Sequence, residues 1–150
     1  MRPFHKLFPA DEALKLVLEA VKPTERVERL KLEEAVGRVC SRDYTAKIDV
    51  PPFDRAAEDG FAVVASSTYG ASRLRPVKLK IVGEIQAGEV KRFKVGEGEA
   101  VKVATGAVVP EGADAVVRVE DTEVRGDELL VYRAVNPGFD ISRRGGDISK

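Results

Sequence analysis

Cysteine and histidine are almost absent from this chain. A single cysteine, Cys40, excludes an intrachain disulfide and a cysteine-based zinc site. A single histidine, His5, excludes chemistry that needs two, and no Ser/His/Asp triad can be assembled around it. Packing or solvent exposure is its plainer reading. Charge of one sign is missing as well. Lys plus Arg equals Asp plus Glu at 25 each, so the basic footprint of a nucleic-acid or anionic-membrane binder is not there. No run of about 18 apolar residues occurs, so no transmembrane helix is predicted. The opening Met1-Arg2-Pro3-Phe4-His5-Lys6 meets charge too early for a secretory signal, and a cytoplasmic domain is expected. Only one Gln (Gln86), one Asn (Asn136) and one Met stand among many Lys, Arg and Glu, which is the composition of hyperthermophile proteins.

What is present suffices for a core. At 150 residues and 43% hydrophobic, the chain is sized for one domain or two small ones. Glycine is missing before Gly37, and the Gly-free start reads as helix. Pro9 suits the first helical position, Asp11 and Glu12 its positive end, and Leu14, Val17, Leu18 and Val21 share one face until Pro23 stops it. A second helical turn over Leu32 to Val36 ends at Gly37. Val39-Cys40 is apolar, which makes Cys40 a buried small hydrophobe.

Beyond it the period becomes two. Strands are predicted around Val77–Ile81, Phe93–Val95, Val101–Val103, Ala115–Val119 and Leu129–Arg133, and another begins near Phe61. Gly83, Ala87-Gly88-Glu89, Gly96-Glu97-Gly98, Pro110-Glu111-Gly112 and Arg125-Gly126-Asp127 bound them as turns. The class is α+β, mainly β, with an antiparallel barrel-like or sandwich-like unit. The chain stops just after a charged, glycine-rich loop, which reads as a truncation.

Three segments carry candidate chemistry. Pro51-Pro52-Phe53-Asp54-Arg55-Ala56-Ala57-Glu58-Asp59-Gly60-Phe61 places carboxylates at Asp54, Glu58 and Asp59 just before a strand. They suit Mg²⁺ beside a phosphate, or else caps and salt bridges on a surface loop. Ala104-Thr105-Gly106-Ala107 offers a hydroxyl and backbone N–H groups at a sharp turn, suited to an anion or simply an ordinary turn. Ile141-Ser142-Arg143-Arg144-Gly145-Gly146-Asp147-Ile148 pairs arginines beside glycines, as a phosphate clamp or a solvated basic turn. The acidic run Glu120-Asp121-Thr122-Glu123 reads as a solvated turn, with metal binding as the lesser alternative.

In this order the segments resemble the N-terminal region of the molybdopterin molybdotransferase family, the MoeA and gephyrin E-domain family. Pro51-Pro52-Phe53-Asp54 with Asp59-Gly60-Phe61-Ala62, Thr105-Gly106-Ala107 with Pro110-Glu111-Gly112-Ala113-Asp114, and Arg144-Gly145-Gly146-Asp147-Ile148 carry the resemblance. Leu32-Glu33-Glu34-Ala35-Val36-Gly37-Arg38-Val39 adds the family's early E-A-x-G-R pattern.

The resemblance implies an enzyme that inserts molybdate, or tungstate, into adenylylated molybdopterin with Mg²⁺ and releases AMP. It implies a small helical and extended domain from residues 1–45 and 138–150, a β-rich domain over residues 46–137, and a C-terminal α/β domain absent from this chain. It also implies a homodimer, a molybdopterin adenylyltransferase as a candidate partner, and a fragment inactive alone. Asp59, Thr105 and Asp147 match catalytic motif positions, Asp59 also the metal ligand, and Gly60, Gly106 and Arg144 substrate-binding ones. Glu58, Phe61 and Gly146 stand where the family usually has an uncharged residue, Tyr and Glu. The rival reading is a dimerising scaffold or binding module without chemistry.

Overall fold

The computed structural model describes residues 7–89 and 91–150, so His5 and the opening hexapeptide lie outside the described residues. The chain divides into two compact units, the second spanning Thr45–Lys150.

The first unit contains helix α1 (Ala10–Ala20), with Pro9 as its N-cap rather than its first residue. Ala13 N–H donates to the Pro9 carbonyl at 2.9 Å, and Asp11 and Glu12 occupy the positive first turn. The predicted second turn is a 3₁₀ turn over Leu32–Glu34, closed by Gly37 at φ +79°. None of residues 7–44 is buried, and Leu14, Val17, Leu18 and Val21 are exposed. Cys40 is exposed too, which corrects its reading as a core residue: apolar sequence neighbours bury a side chain only when something packs over them. Among the described residues no helix is long and apolar enough to cross a membrane.

The second unit is built on a six-stranded sheet that curls into a half-barrel, so the fold of the described residues is mainly β with one α-helix. Its order is β5 (Ala115–Arg118), β2 (Gly60–Val63), β4 (Glu99–Val103), β3 (Val77–Ile85), β7 (Glu128–Val131), β6 (Thr122–Arg125). Two short strands, β1 (Arg55–Ala56) and β8 (Ile141–Ser142), pair separately. The sheet is mixed, not wholly antiparallel as expected, because β3 and β4 run parallel. The long connection from Ile85 to Glu99 makes that possible, since parallel neighbours need a crossover of about a dozen residues.

Both sheet faces are covered. Phe61, Val63, Leu79, Ala100, Val117, Leu129 and Val131 form one layer, and Ala62, Ile85, Val101, Val103 and Val116 the other. Alternation along each strand sorts the side chains this way. Strand β3 breaks the alternation: Val77, Leu79 and Ile81 face the first layer, whereas Val82 and Ile85 face the second. A bulge between Ile81 and Gly83 switches the phase. Gly83 therefore lies inside a strand rather than at a turn, and a Cβ there would strike the Phe93 ring. Residues 93–95 form no strand; Lys94 makes one bridge to Glu111 while Phe93 fills the space over Gly83. The acidic run is partly strand: a 3₁₀ turn over Val119–Asp121 leads into β6, hairpinned to β7 through Gly126 at φ +66°. The one buried polar side chain among those described, Thr68, donates to the Ala65 carbonyl at 2.7 Å and accepts from the Val135 N–H at 3.0 Å.

Strand β2, one in from the β5 edge, is the anchor. Every residue of it is buried, and it is paired on both sides, with Gly60 opposite Val103 and Arg118. A Cβ on Gly60 would collide with the Val117 carbonyl and meet Val116 Cγ1 at 2.9 Å. Backbone cannot yield there without breaking two ladders. Gly60→Ala is expected to destabilise the chain by about 1–3 kcal/mol. The measurement is a urea titration, and a midpoint equal to wild type would show that the sheet absorbs the extra methyl.

Candidate functional site

The sheet register builds the first contact. With Gly60 opposite Val103 in antiparallel pairing, Asp59 falls across from Ala104 and one step from Thr105. Residues 104–107 then turn sharply, Ala107 N–H donating to the Ala104 carbonyl at 2.9 Å with Gly106 at φ +82°. That positive φ is what the third residue of a type II turn requires, and glycine adopts it without strain. The turn aims Thr105 at Asp59. Its N–H and Oγ1 donate to the same carboxylate oxygen, Oδ1, at 2.7 and 2.8 Å. The Asp59 carboxyl is held below its ordinary value of 3.8, first by the Thr105 N–H, then by its hydroxyl, and further by the Lys102 charge. Both residues are exposed.

The residues of the Thr105-Gly106 turn leave two readings open, an anion site or an ordinary turn, and its contacts answer to the second. All three of its amides have partners within the chain: Thr105 on Asp59, Gly106 on the Ala56 carbonyl at 2.8 Å, Ala107 on Ala104. The anion held at this turn is the Asp59 carboxylate itself. Glycine at 60 likewise has sufficient cause in the approach of the Val117 carbonyl.

The third segment folds onto the first. Strand β8 pairs with β1, Ser142 opposite Arg55, and Ile148 bridges to Val50. Gly145 N–H donates to the Pro51 carbonyl at 2.9 Å and Asp147 N–H to the Val50 carbonyl at 2.9 Å. Two carboxylates fasten this strap. Asp54 accepts the Arg144 N–H at 2.7 Å on Oδ1 and the Arg143 guanidinium at 2.6 Å on Oδ2. Asp49 accepts the Lys150 N–H at 2.9 Å and Arg144 Nε at 2.6 Å. The paired arginines, open to reading as a phosphate clamp or a solvated basic turn, each have a carboxylate partner, although the Arg144 bond uses only Nε and the side chain is 67% exposed. Asp147 is exposed and fixed through its backbone.

The structure therefore joins Asp59 directly to Thr105, and Arg144 and Asp147 to residues 49–54, with the stretch from Asp54 to Asp59 linking the halves. It also reveals partners that residue spacing did not suggest. Arg118 makes a two-pronged pair with Asp140 at 2.6 and 3.0 Å, and Asp140, at φ +50°, accepts the Ala57 N–H through its carbonyl at 2.9 Å. Arg118 and Arg133 lie 5.8 and 5.0 Å from the centre of the Phe139 ring. The Asp140 carboxylate raises Arg118 above its already high value. Asp114 Oδ1 accepts the Ala65 N–H at 2.6 Å. The sequence signal for these ties was weak: an Asp beside a turn, with nothing to name its distant donor. Among the described residues no set of three or more His, Cys, Asp or Glu converges for a metal. A groove of about 330 Å³ lined by Lys78, Leu79, Lys80, Gly98, Asp127 and Glu128 includes none of the expected site residues.

Comparison with known proteins gives a consistent result. The family model "MoeA N-terminal region (domain I and II)" matches residues 8–150. The molybdopterin molybdenumtransferase of Bacillus subtilis is 41% identical over 146 residues, which cover 95% of this chain and 34% of that protein. Two crystal structures of the molybdopterin biosynthesis MoeA protein of Pyrococcus horikoshii are 43% identical. Their TM-scores are 0.78, over 97% of this chain and 38% of theirs, and 0.68, over 95% and 36%. The chain thus spans about a third of the length of the relatives it matches.

The three lowered carboxyls make a prediction about acid. Asp49 is lowered by the Lys150 N–H first and Arg144 second, Asp54 by the Arg144 N–H first and Arg143 second, and Asp59 by Thr105. A carboxyl lowered on folding contributes stability that is complete above its unfolded value, here 3.8, and is lost as pH falls through the native value. The urea midpoint should therefore fall as pH drops below 3.8, and less steeply in Asp54→Asn. Identical acid slopes in the two proteins would remove Asp54 from the account.

Proposed function

The chain belongs to the MoeA N-terminal family, and from that premise we propose that it is the N-terminal region of a molybdenum-cofactor biosynthetic transferase. The reaction proposed is insertion of molybdate, or tungstate, into adenylylated molybdopterin with release of AMP. One observation carries the reading for this chain: two of the three motif segments meet in the Asp59–Thr105 contact, and the third is strapped to the same stretch of backbone. An exposed carboxylate with a lowered pKa, fixed by two donors on one oxygen, is ionised and oriented before any ligand arrives.

The residues fit magnesium in a limited way. Thr105 occupies Oδ1 of Asp59 and leaves Oδ2 outside that pair of bonds. One carboxylate oxygen is a minimal contribution, and Mg²⁺ takes one or two carboxylates together with substrate phosphate oxygens. Asp59 is therefore the magnesium ligand of this reading only in company with substrate. Bound there, the cation would offset the repulsion between Asp59 and the two anionic substrates. Thr105 orients the carboxylate. Gly106 shapes the turn that brings Thr105 to it. Arg144, with donors beyond Nε, and Asp147 stand on the strap as the second half of the cleft, which the α/β domain of a partner subunit completes. Such a divided pocket loses most of its contacts when one wall is absent, leaving too little surface to offset the entropy of binding.

Two outcomes are expected. The 150-residue chain alone should turn over nothing in a molybdate-insertion assay, and turnover by it would overturn the divided site. In the full-length enzyme, Asp59→Asn keeps an acceptor oxygen for both Thr105 donors and removes the charge. Its turnover should fall at least about tenfold at limiting Mg²⁺ and recover partly as Mg²⁺ rises. A variant matching wild type throughout a magnesium titration, with an unchanged melting temperature, would remove Asp59 from metal binding.

A further inference from the structure

Two aspartates at opposite ends of one short stretch of chain grip the two loops of the proposed site. Asp59 holds Thr105, and Asp54 holds the turn at Arg143-Arg144. We infer that Asp54 is a positioning residue, which sets Arg144 and Asp147 relative to Asp59 by gripping the strap at two points. The inference rests on the proposed function and deepens it with a residue that acts through others, not on substrate.

The geometry is specific. Both Asp54 oxygens are engaged, one by the Arg144 N–H at 2.7 Å and one by the Arg143 guanidinium at 2.6 Å. A carboxylate held at both oxygens by neighbouring residues fixes the orientation of their turn as well as its place. Asp54 is itself anchored. Its carbonyl accepts the Val109 N–H at 3.1 Å, Arg55 pairs with Ser142 and bridges Val108, and Ala56 N–H donates to the Ala107 carbonyl at 2.9 Å. The Asp54 backbone is thus fixed to the segment that follows Thr105, and its side chain carries that placement to the strap. The pairing also divides the arginines. Arg143 is committed to Asp54, while Arg144 is tethered through Nε to Asp49 and keeps its terminal nitrogens out of that bond. Arg143 is the strut of this pair, and Arg144 the arm that reaches a ligand.

The test uses Asp54→Asn, which keeps acceptor oxygen but loses the charge, and Asp54→Ala, which loses both. In the 150-residue chain, amide exchange at Arg144, Gly145 and Asp147 should quicken by roughly tenfold or more in Asp54→Ala, and less in Asp54→Asn. The Thr105 amide and those of β2 and β4 should keep their protection. In the full-length enzyme KM for adenylylated molybdopterin should rise about tenfold in the same order, with melting temperature little changed. Unchanged exchange along the strap overturns the inference. So does protection lost throughout the sheet, which would make Asp54 a stabiliser of the whole fold. A loosened strap with wild-type KM and kcat overturns it while leaving the proposed function standing. A wild-type enzyme that inserts no molybdate overturns the proposed function itself, so the two failures are told apart.

Discussion

The register of β2 against its two neighbours is the constraint on which the rest depends. Its four residues are buried on both faces and hydrogen-bonded on both edges, so the strand can neither slip nor tilt without exposing a layer of core. A slip of one residue would exchange Phe61 and Val63 with Ala62 between the two apolar layers. Each fully buried Val or Phe contributes about 1.5–3 kcal/mol, whereas an exposed ion pair contributes about 0–1 kcal/mol. The core therefore decides the register. The surface chemistry inherits it: Asp59 lies across from the start of the Thr105 turn because Gly60 lies across from Val103.

Aspartate is the recurrent fastener around this frame. Asp49, Asp54, Asp59 and Asp114 each accept a backbone N–H, and Asp140 takes the Arg118 fork. The short side chain suits the task, since it reaches an amide in a nearby turn with few rotamers to freeze. Because none of these groups is fully buried, their worth lies in geometry more than in stability. They determine where loops lie on a sheet whose existence the apolar layers already secure. Equal numbers of acidic and basic residues then acquire a physical meaning beyond solubility, because many of the charges are spent on internal ties.

Much of the sheet is legible in residue order. Alternation predicts most of β3, and β4, β5 and β7, a strand is expected near Phe61 where β2 lies, and the turns at Gly88, Gly98, Gly112 and Gly126 have the positive φ that glycine supplies. Three features escape it. The phase switch in β3 needs Gly83 to be read as a bulge, which depends on Phe93 arriving from another segment. The parallel pairing of β3 with β4 is a choice of neighbour that periodicity leaves open. Strand β6 has only Val124 as an apolar residue between charges, too little to stand out from a solvated turn. At the candidate site the residue types were legible and their partners were not. Thr105-Gly106 signals a turn with free donors, yet which acceptor fills them depends on contacts about forty-six positions apart in sequence.

That last contact bears on what the chain can and cannot supply by itself. A turn whose three amides are already satisfied gives no oxyanion cradle, and arginines already paired give only part of a phosphate clamp. What stays directed outward is one carboxylate oxygen of Asp59, the terminal nitrogens of Arg144 and the Asp147 side chain. These are orienting groups of mixed sign, set by rigid backbone but too few to enclose a dianionic ligand. A face of that kind gains affinity only when an opposing wall supplies further donors and excludes water, because an exposed charge attracts little through solvent. The internal satisfaction of the loops fits the proposed divided site, to which this chain would bring rigidity, not affinity.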